Sequence, residues 1–90
     1  MNDKKGTYIF VVDRGFVLVA RAKLSTELAF HWDLECARVI QRWGTSQGLS
    51  QLVNGPLEVT VLQAKAEEFL PQRAILRIIK VEEEAWSPHL

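Results

Sequence analysis

Two short apolar runs near the start of the chain, separated by a turn, constrain its fold more than any other feature. Residues 8–12 and 16–20 are rich in β-branched and aromatic side chains, which favour strands. Asp13, Arg14 and Gly15 lie between them, and Gly15 can adopt the positive φ angle that a tight turn often requires. The pattern predicts a β-hairpin, around which the rest of the core must be built.

Three later segments also carry strand patterns. Residues 58–62 contain β-branched side chains and are typical of a short strand, with a short irregular link as the alternative. Residues 67–71 predict an edge strand, because Pro71 cannot donate a hydrogen bond to a ladder. The apolar density of residues 73–81 predicts a last strand in a central position of the sheet.

Residues 25–43 fit two different patterns. One is a period-two alternation, typical of a half-buried strand, with apolar positions at Leu28, Phe30, Trp32 and Leu34. The other is a helical spacing that starts from Ser25 or Thr26 as N-cap and uses Leu28, Trp32, Cys36, Val39, Ile40 and Trp43. The β-branched pair Val39 and Ile40 favours strands, and the helix stays open as the alternative.

These elements predict one small domain over residues 1–90, with loose tails at 1–6 and 87–90. The expected fold is mainly β (a β-rich α+β domain): a small bent sheet or partly closed barrel of about five or six strands with one short helix. That helix is expected through residues 47–53, capped by Thr45 or Ser46 and ended by Gly55, whose left-handed conformation suits a helix C-terminus.

Charge and cysteine content narrow the function classes. Eleven basic and eleven acidic residues give zero net charge, so no overall field draws the chain to nucleic acid or an anionic membrane. Cys36 is the single cysteine, which excludes an internal disulfide, and no metal or other cofactor is expected. The chain shows no secretory signal and no apolar run long enough for a bilayer, so a soluble cytoplasmic protein is expected.

A signature in the centre of the chain resembles a known family. It comprises Ala37-Arg38-Val39-Ile40-Gln41-Arg42-Trp43-Gly44-Thr45, then Gly48-Leu49, Leu52, Gly55-Pro56, Thr60-Val61-Leu62 and Ala74-Ile75. The segment resembles short uncharacterised proteins of bacteria, prophages and other mobile elements, with departures at Gln41, where arginine is frequent, and Gln63, where aspartate is common. The resemblance covers roughly residues 35–80 and implies a mobile-element accessory role without implying a mechanism.

The candidate contact residues combine arginine with aromatic side chains. Arg38 and Arg42 share a face in a strand and in a helix alike, and Trp43 and Thr45 follow them. Trp86, near the end, is expected to be partly exposed as an anchor for a partner chain. Since no motif of nucleophilic, acid–base or phosphate-binding catalysis is present, we expect a non-enzymatic module that binds protein or self-associates. The alternative is nucleic-acid binding through the Arg/Trp face, weakened by the small number of cations.

Overall fold

The computed structural model describes residues 6–44 and 48–90 of the chain. Within them, six antiparallel strands form one bent, unclosed sheet, which confirms the mainly β fold. The strands are β1 (Gly6–Val12), β2 (Val17–Leu24), β3 (His31–Arg42), β4 (Val61–Leu62), β5 (Ala66–Pro71) and β6 (Ile75–Lys80). A short helix, α1 (Glu83–Trp86), and 3-10 turns at Asp13–Gly15, Leu49–Asn54, Gln72–Ala74 and Ser87–His89 complete these elements.

The connectivity forces the sheet to curl. The strand order is β4-β3-β2-β1-β6, and β5 pairs with β3, so β5 and β6 lie at opposite ends of a path through β3, β2 and β1. On a flat sheet these ends would be about 19 Å apart. The three residues Gln72–Ala74 that join them allow at most about 14 Å. The sheet therefore bends until its two ends approach each other.

The predicted hairpin is confirmed, and the strand alternative for the ambiguous segment is confirmed over His31–Arg42. Its first part is wrong, because Leu28 and Phe30 lie before β3 and are exposed, with Phe30 at a φ angle of 62°. β1 and β2 pair in register from Gly6↔Ala22 to Val11↔Val17. β3 pairs with β2 but carries one extra residue between Glu35 and Arg38, where Cys36 has a φ angle of 53°. This bulge shifts the alternation by one residue, which explains why the apolar positions of the segment also fit a helical spacing.

The curled sheet encloses one apolar cluster on its concave face, which we call the inner cluster. Its buried members are Phe10, Val12, Leu18, Ala20, Ala22, Leu34, Ala37 and Leu70. Ile75 of β6 packs against the same cluster as Leu70 of β5, so side chains from both ends of the sheet meet there. Trp32 adds edge-to-face ring contacts with Tyr8 and Phe10, at centroid distances of 5.8 and 5.5 Å.

A second cluster, the outer cluster, lies on the convex face beneath the C-terminal segment. Its buried members are Ile9, Val17, Val19, Ile40, Leu49, Leu52, Val81 and Trp86. The Trp86 indole N–H donates to the Leu52 carbonyl at 2.8 Å, which ties α1 to the Leu49–Asn54 turn. Fully buried Trp86 is thus a core residue, and the predicted exposure of this side chain is wrong.

Residues 87–90, for which a loose tail was predicted, follow α1 directly and lie against the outer cluster. Ser87–His89 form a 3-10 turn, and Leu90 packs against the outer cluster. The His89 ring lies edge-to-face against Trp86, with a centroid distance of 6.1 Å. Because the burial of Trp86 fixes the chain just before this turn, the last residues are held on the sheet. Of the tail predicted at 1–6, residues 1–5 lie outside the described residues, and Gly6 opens β1.

The elements between β3 and β6 differ from expectation in detail. The strand predicted at 58–62 is reduced to Val61–Leu62, and the helix predicted at 47–53 is the 3-10 turn Leu49–Asn54. The predicted caps of that helix, Thr45 and Ser46, lie outside the described residues. Gly55 ends the turn with φ 109° and ψ 168°, a region almost restricted to glycine but distinct from the predicted left-handed helical one.

The position of the last strand corrects the prediction most relevant to function. β6 was expected at the centre of the sheet, yet it pairs with β1 alone and lies at one end of the strand order. Sequence composition indicates how much of a strand is covered, but the topology of the whole sheet decides which neighbours the strand has.

Of the helices in the described part of the chain, none combines the length and apolarity that spanning a bilayer requires.

Candidate protein-interaction surface

β6 presents apolar side chains at a free sheet edge. Leu76 is 69% exposed and Ile78 is 41% exposed, although both belong to a strand of nearly continuous apolar sequence. One edge of β6 pairs with β1, and no strand in the described part of the chain pairs with the other. Backbone N–H and C=O groups on such an edge can hydrogen-bond an added strand.

An open groove of about 600 Å³ runs beside this edge, and we call it the β6 groove. Its apolar lining consists of Leu24, Trp32, Ile75, Leu76 and Ile78, and Gln72 and Arg77 are its polar lining residues. Leu24, at the end of β2, is 54% exposed and is the register partner of Trp32. The groove therefore forms where the β2–β3 pair and β6 approach each other without pairing, and it leads onto the aromatic side of the inner cluster.

β6 also carries an irregularity that shapes this surface. Val11 pairs with Arg77 and Val12 with Ile75, so β6 has one extra residue at Leu76. A bulge of this kind twists a strand locally and redirects its side chains. Here it lets Ile75 contact the inner cluster while neighbouring Leu76 stays exposed in the groove.

A second surface, the acidic hollow, lies beside β5. It has a volume of about 480 Å³ and is lined by the carboxylate residues Glu27, Asp33, Glu35, Glu67 and Glu68 together with Lys23, Leu34 and Phe69. Phe69 is 48% exposed. The buried Oδ1 atom of Asp33 accepts no hydrogen bond from the described residues. The hollow is thus strongly acidic around one exposed aromatic ring, with a single lysine among its lining residues.

The acidic hollow does not have the arrangement of a metal centre. No group of three or more His, Cys, Asp or Glu side chains within residues 6–44 and 48–90 is placed to hold a metal ion. The carboxylates instead line an open depression on the sheet, where their summed charge creates a negative potential.

Arg38, the first of the predicted contact residues, holds the fold together. It is half-buried on the convex face, and its guanidinium donates to the Gln63 carbonyl at 2.7 Å and to the His89 carbonyl at 2.8 Å. These bonds join β3 to the segment after β4 and to the C-terminal turn. The rigid fork of an arginine suits this bridging position, in which two carbonyls are reached from one side chain.

Arg42 and Trp43 lie at the exposed end of β3, apart from Arg38. Between Ile40 and Arg42 the pairing with β4 contains an extra residue on β3, which shifts the alternation there. Arg38 and Arg42 therefore do not form the shared face that even spacing predicted. Arg42 is exposed and Trp43 is 40% exposed, while the Trp43 carbonyl accepts a 2.6 Å hydrogen bond from Thr60 Oγ1. Thr45 lies outside the described residues.

The β6 groove was missed by sequence reasoning, although its signal was present. The run Ile75-Leu76-Arg77-Ile78-Ile79 is too apolar for a strand with a free edge unless something covers that edge. Sequence alone assigned this apolarity to burial in the centre of the sheet.

The chain was compared with family models, with curated proteins and with solved structures, and it matches none of them.

Proposed function

We propose that the protein is a small non-enzymatic binding module that acts through protein–protein contacts, with β6 and its groove as the contact surface. The observation that carries the proposal is a strand with the composition of a covered strand at the free edge of the sheet. Leu76 and Ile78 are 69% and 41% exposed there. Exposed apolar side chains gathered beside a groove are a common property of protein interaction sites.

The geometry suits the addition of an extended segment of a partner. A strand that pairs with the free edge of β6 would gain main-chain hydrogen bonds, and its alternate side chains would enter the β6 groove. Arg77 and Lys80 are exposed on the same strand and disfavour pairing with a basic segment. The expected partner segment is therefore extended and carries apolar and acidic side chains.

The biological setting is part of the same proposal. We propose an accessory role in the cytoplasm of a bacterial cell, the setting that the sequence resemblance of residues 35–80 to short prophage and mobile-element proteins implies. A reducing compartment is in keeping with Cys36, which is a free cysteine and the only one in the chain.

A site-specific photocrosslinking experiment tests the proposal. A benzophenone amino acid is placed at Leu76, or at Val59 as a control that is 56% exposed and outside the groove. In the cells that make the protein, we expect a discrete crosslinked protein at Leu76 and none at Val59. A crosslink to a second copy of the chain counts as a protein contact.

The crosslinked protein is then purified and titrated against the chain. The double variant Leu76→Ser/Ile78→Ser should bind at least roughly tenfold more weakly, because removing apolar anchors from an interface typically costs more than about 1 kcal/mol each. Val59→Ser should bind like the unaltered chain. Equal crosslinking at both positions, or unchanged affinity of the double variant, would contradict the proposal.

Nucleic-acid binding is the second candidate, favoured by exposed Arg42 next to partly exposed Trp43. Arginine contacts phosphate, and a tryptophan ring can stack on a base. The engagement of Arg38 by two carbonyls leaves this candidate weaker than the protein-binding one. Titration with a single-stranded oligonucleotide at low salt tests it: Arg42→Ala should reduce the salt dependence, and no binding would exclude this function.

A further inference from the structure

The two ends of the sheet carry opposite charge. β6 and the turn before it present exposed Arg73, Arg77 and Lys80. The end formed by β5 presents exposed Glu67 and Glu68 at the acidic hollow. Since the whole chain has zero net charge, two copies do not repel each other overall, and each has one basic end and one acidic end.

Both ends also have a free edge and an exposed apolar side chain. β5 pairs with β3 alone among the described strands, just as β6 pairs with β1 alone. Phe69 on β5 is 48% exposed, and Ile78 on β6 is 41% exposed. The two surfaces therefore each offer a free backbone edge and an exposed apolar side chain, and their charges are opposite in sign.

One antiparallel register makes this match explicit. If Glu67 of one copy lies opposite Lys80 of another, Phe69 lies opposite Ile78 two residues further on. Residues two apart on a strand share a face, so an ion pair and an aromatic–aliphatic pair form side by side. Pairing β6 with β6, or β5 with β5, would instead bring like charges together, which is unfavourable.

We propose that the protein self-associates head to tail, with the β6 edge of one copy on the β5 edge and acidic hollow of the next. This inference rests on the proposed function, because it assigns the partner of the same β6 surface. The contact joins two different surfaces, so it is heterologous and generates a ring or an open chain of copies. In the register given above, Lys80 is the basic residue opposite Glu67, and Arg77 lies three residues away on the same strand, opposite Leu70.

Sedimentation velocity over micromolar to millimolar concentrations tests the proposal. The unaltered chain should increase in average mass beyond a dimer as its concentration rises, and added salt should reverse the increase, because the contact is charge-complementary. Reversing the basic end (Arg77→Glu/Lys80→Glu) or the acidic end (Glu67→Lys/Glu68→Lys) should weaken association at least roughly tenfold. An equimolar mixture of the two reversed proteins should associate again.

The control is a charge reversal away from both ends, Glu58→Lys/Arg42→Glu, which should associate like the unaltered chain. All six altered side chains are exposed, and circular dichroism checks that each variant folds. A chain that stays monomeric at all concentrations would overturn the proposal. So would a dimer that persists after reversal of the acidic end, since that result indicates β6–β6 pairing. A monomeric chain that still crosslinks another protein at Leu76 would overturn this inference alone and leave the proposed function intact.

Discussion

Replacing Trp86 with alanine tests whether the end of the chain is a core element or a contact anchor. Trp86 is fully buried in the outer cluster, and its indole N–H is bonded to the Leu52 carbonyl. Burial of a tryptophan removes about 150–250 Å² from water, worth about 4–6 kcal/mol at about 25 cal/mol per Å². Because the surroundings of a truncated side chain partly relax, we expect a loss of about 3–5 kcal/mol in the free energy of unfolding.

Urea unfolding followed by far-ultraviolet circular dichroism measures this loss. Two variants make the measurement specific. Trp86→Phe removes the indole hydrogen bond and part of the buried ring, while the Leu52 carbonyl still accepts from the Gly55 N–H, so the lost bond and lost packing together should cost about 1–3 kcal/mol. Trp43→Ala removes the same residue type from a site that is 40% exposed and should cost about 1 kcal/mol. A stabilising osmolyte keeps a folded baseline for Trp86→Ala, since this loss is a large part of a small domain's stability.

The relative losses of unfolding free energy in these three variants decide whether Trp86 is a core residue. If Trp86→Ala costs under about 1 kcal/mol, or less than Trp43→Ala, the C-terminal segment does not cover the sheet and the outer cluster is wrongly described. If it costs the expected amount, loss of partner binding in this variant reflects unfolding. Trp86→Ala is then unsuitable as a binding control, and substitutions at Leu76 and Ile78 must serve instead.

Two further substitutions test the bridge at Arg38 and the end of β3. Arg38→Lys should lower the free energy of unfolding by about 1–3 kcal/mol and speed amide exchange at Leu90. The reason is that one ammonium group cannot replace a guanidinium that reaches two carbonyls, and an unchanged exchange rate would contradict this bridging role. In urea unfolding, Gly44→Ala should lower the free energy of unfolding more than Gly15→Ala does. Both glycines have positive φ, but a Cβ atom at Gly44 would lie 2.9 Å from the Val59 backbone carbon, whereas a Cβ atom at Gly15 would meet open space. Equal losses of unfolding free energy would show that backbone strain at positive φ alone determines the effect of both substitutions.

Local patterns predicted the parts of the fold that local interactions determine. The hairpin followed from two apolar runs and a glycine turn, whereas for β3 the alternation and the β-branched residues favoured a strand but left a helix open. The bulge at Cys36 was not predictable, because a cysteine in a strand gives no sign that its φ angle is positive. That single residue placed Ala37 and Leu34 on the same face and left helix and strand equally consistent with much of the spacing.

The site predictions that were wrong concern residues whose surroundings depend on contacts between distant parts of the chain. Trp86 is buried because the Leu49–Asn54 turn, more than thirty residues earlier, supplies both an apolar cover and a carbonyl acceptor. The composition of β6 indicated coverage, but whether a strand of the same fold or another molecule provides it is a property of topology. Of the five predicted contact residues, the structure leaves Arg42 and Trp43 accessible, uses Arg38 and Trp86 internally, and does not describe Thr45.

Net charge misled in a related way, since it averages over surfaces that the fold separates. Zero net charge gives no reason to expect a strong general attraction to polyanions, yet it conceals a molecule with a basic and an acidic sheet end. The fold produces this separation because the acidic residues Glu67 and Glu68 lie on β5 and the basic residues lie on and just before β6, which the short turn Gln72–Ala74 joins to β5. An insertion that lengthens this turn would therefore change the relative placement of the two ends without altering the charge of either end. If head-to-tail association is correct, such an insertion should change the size of the assembly while each single contact keeps its salt dependence.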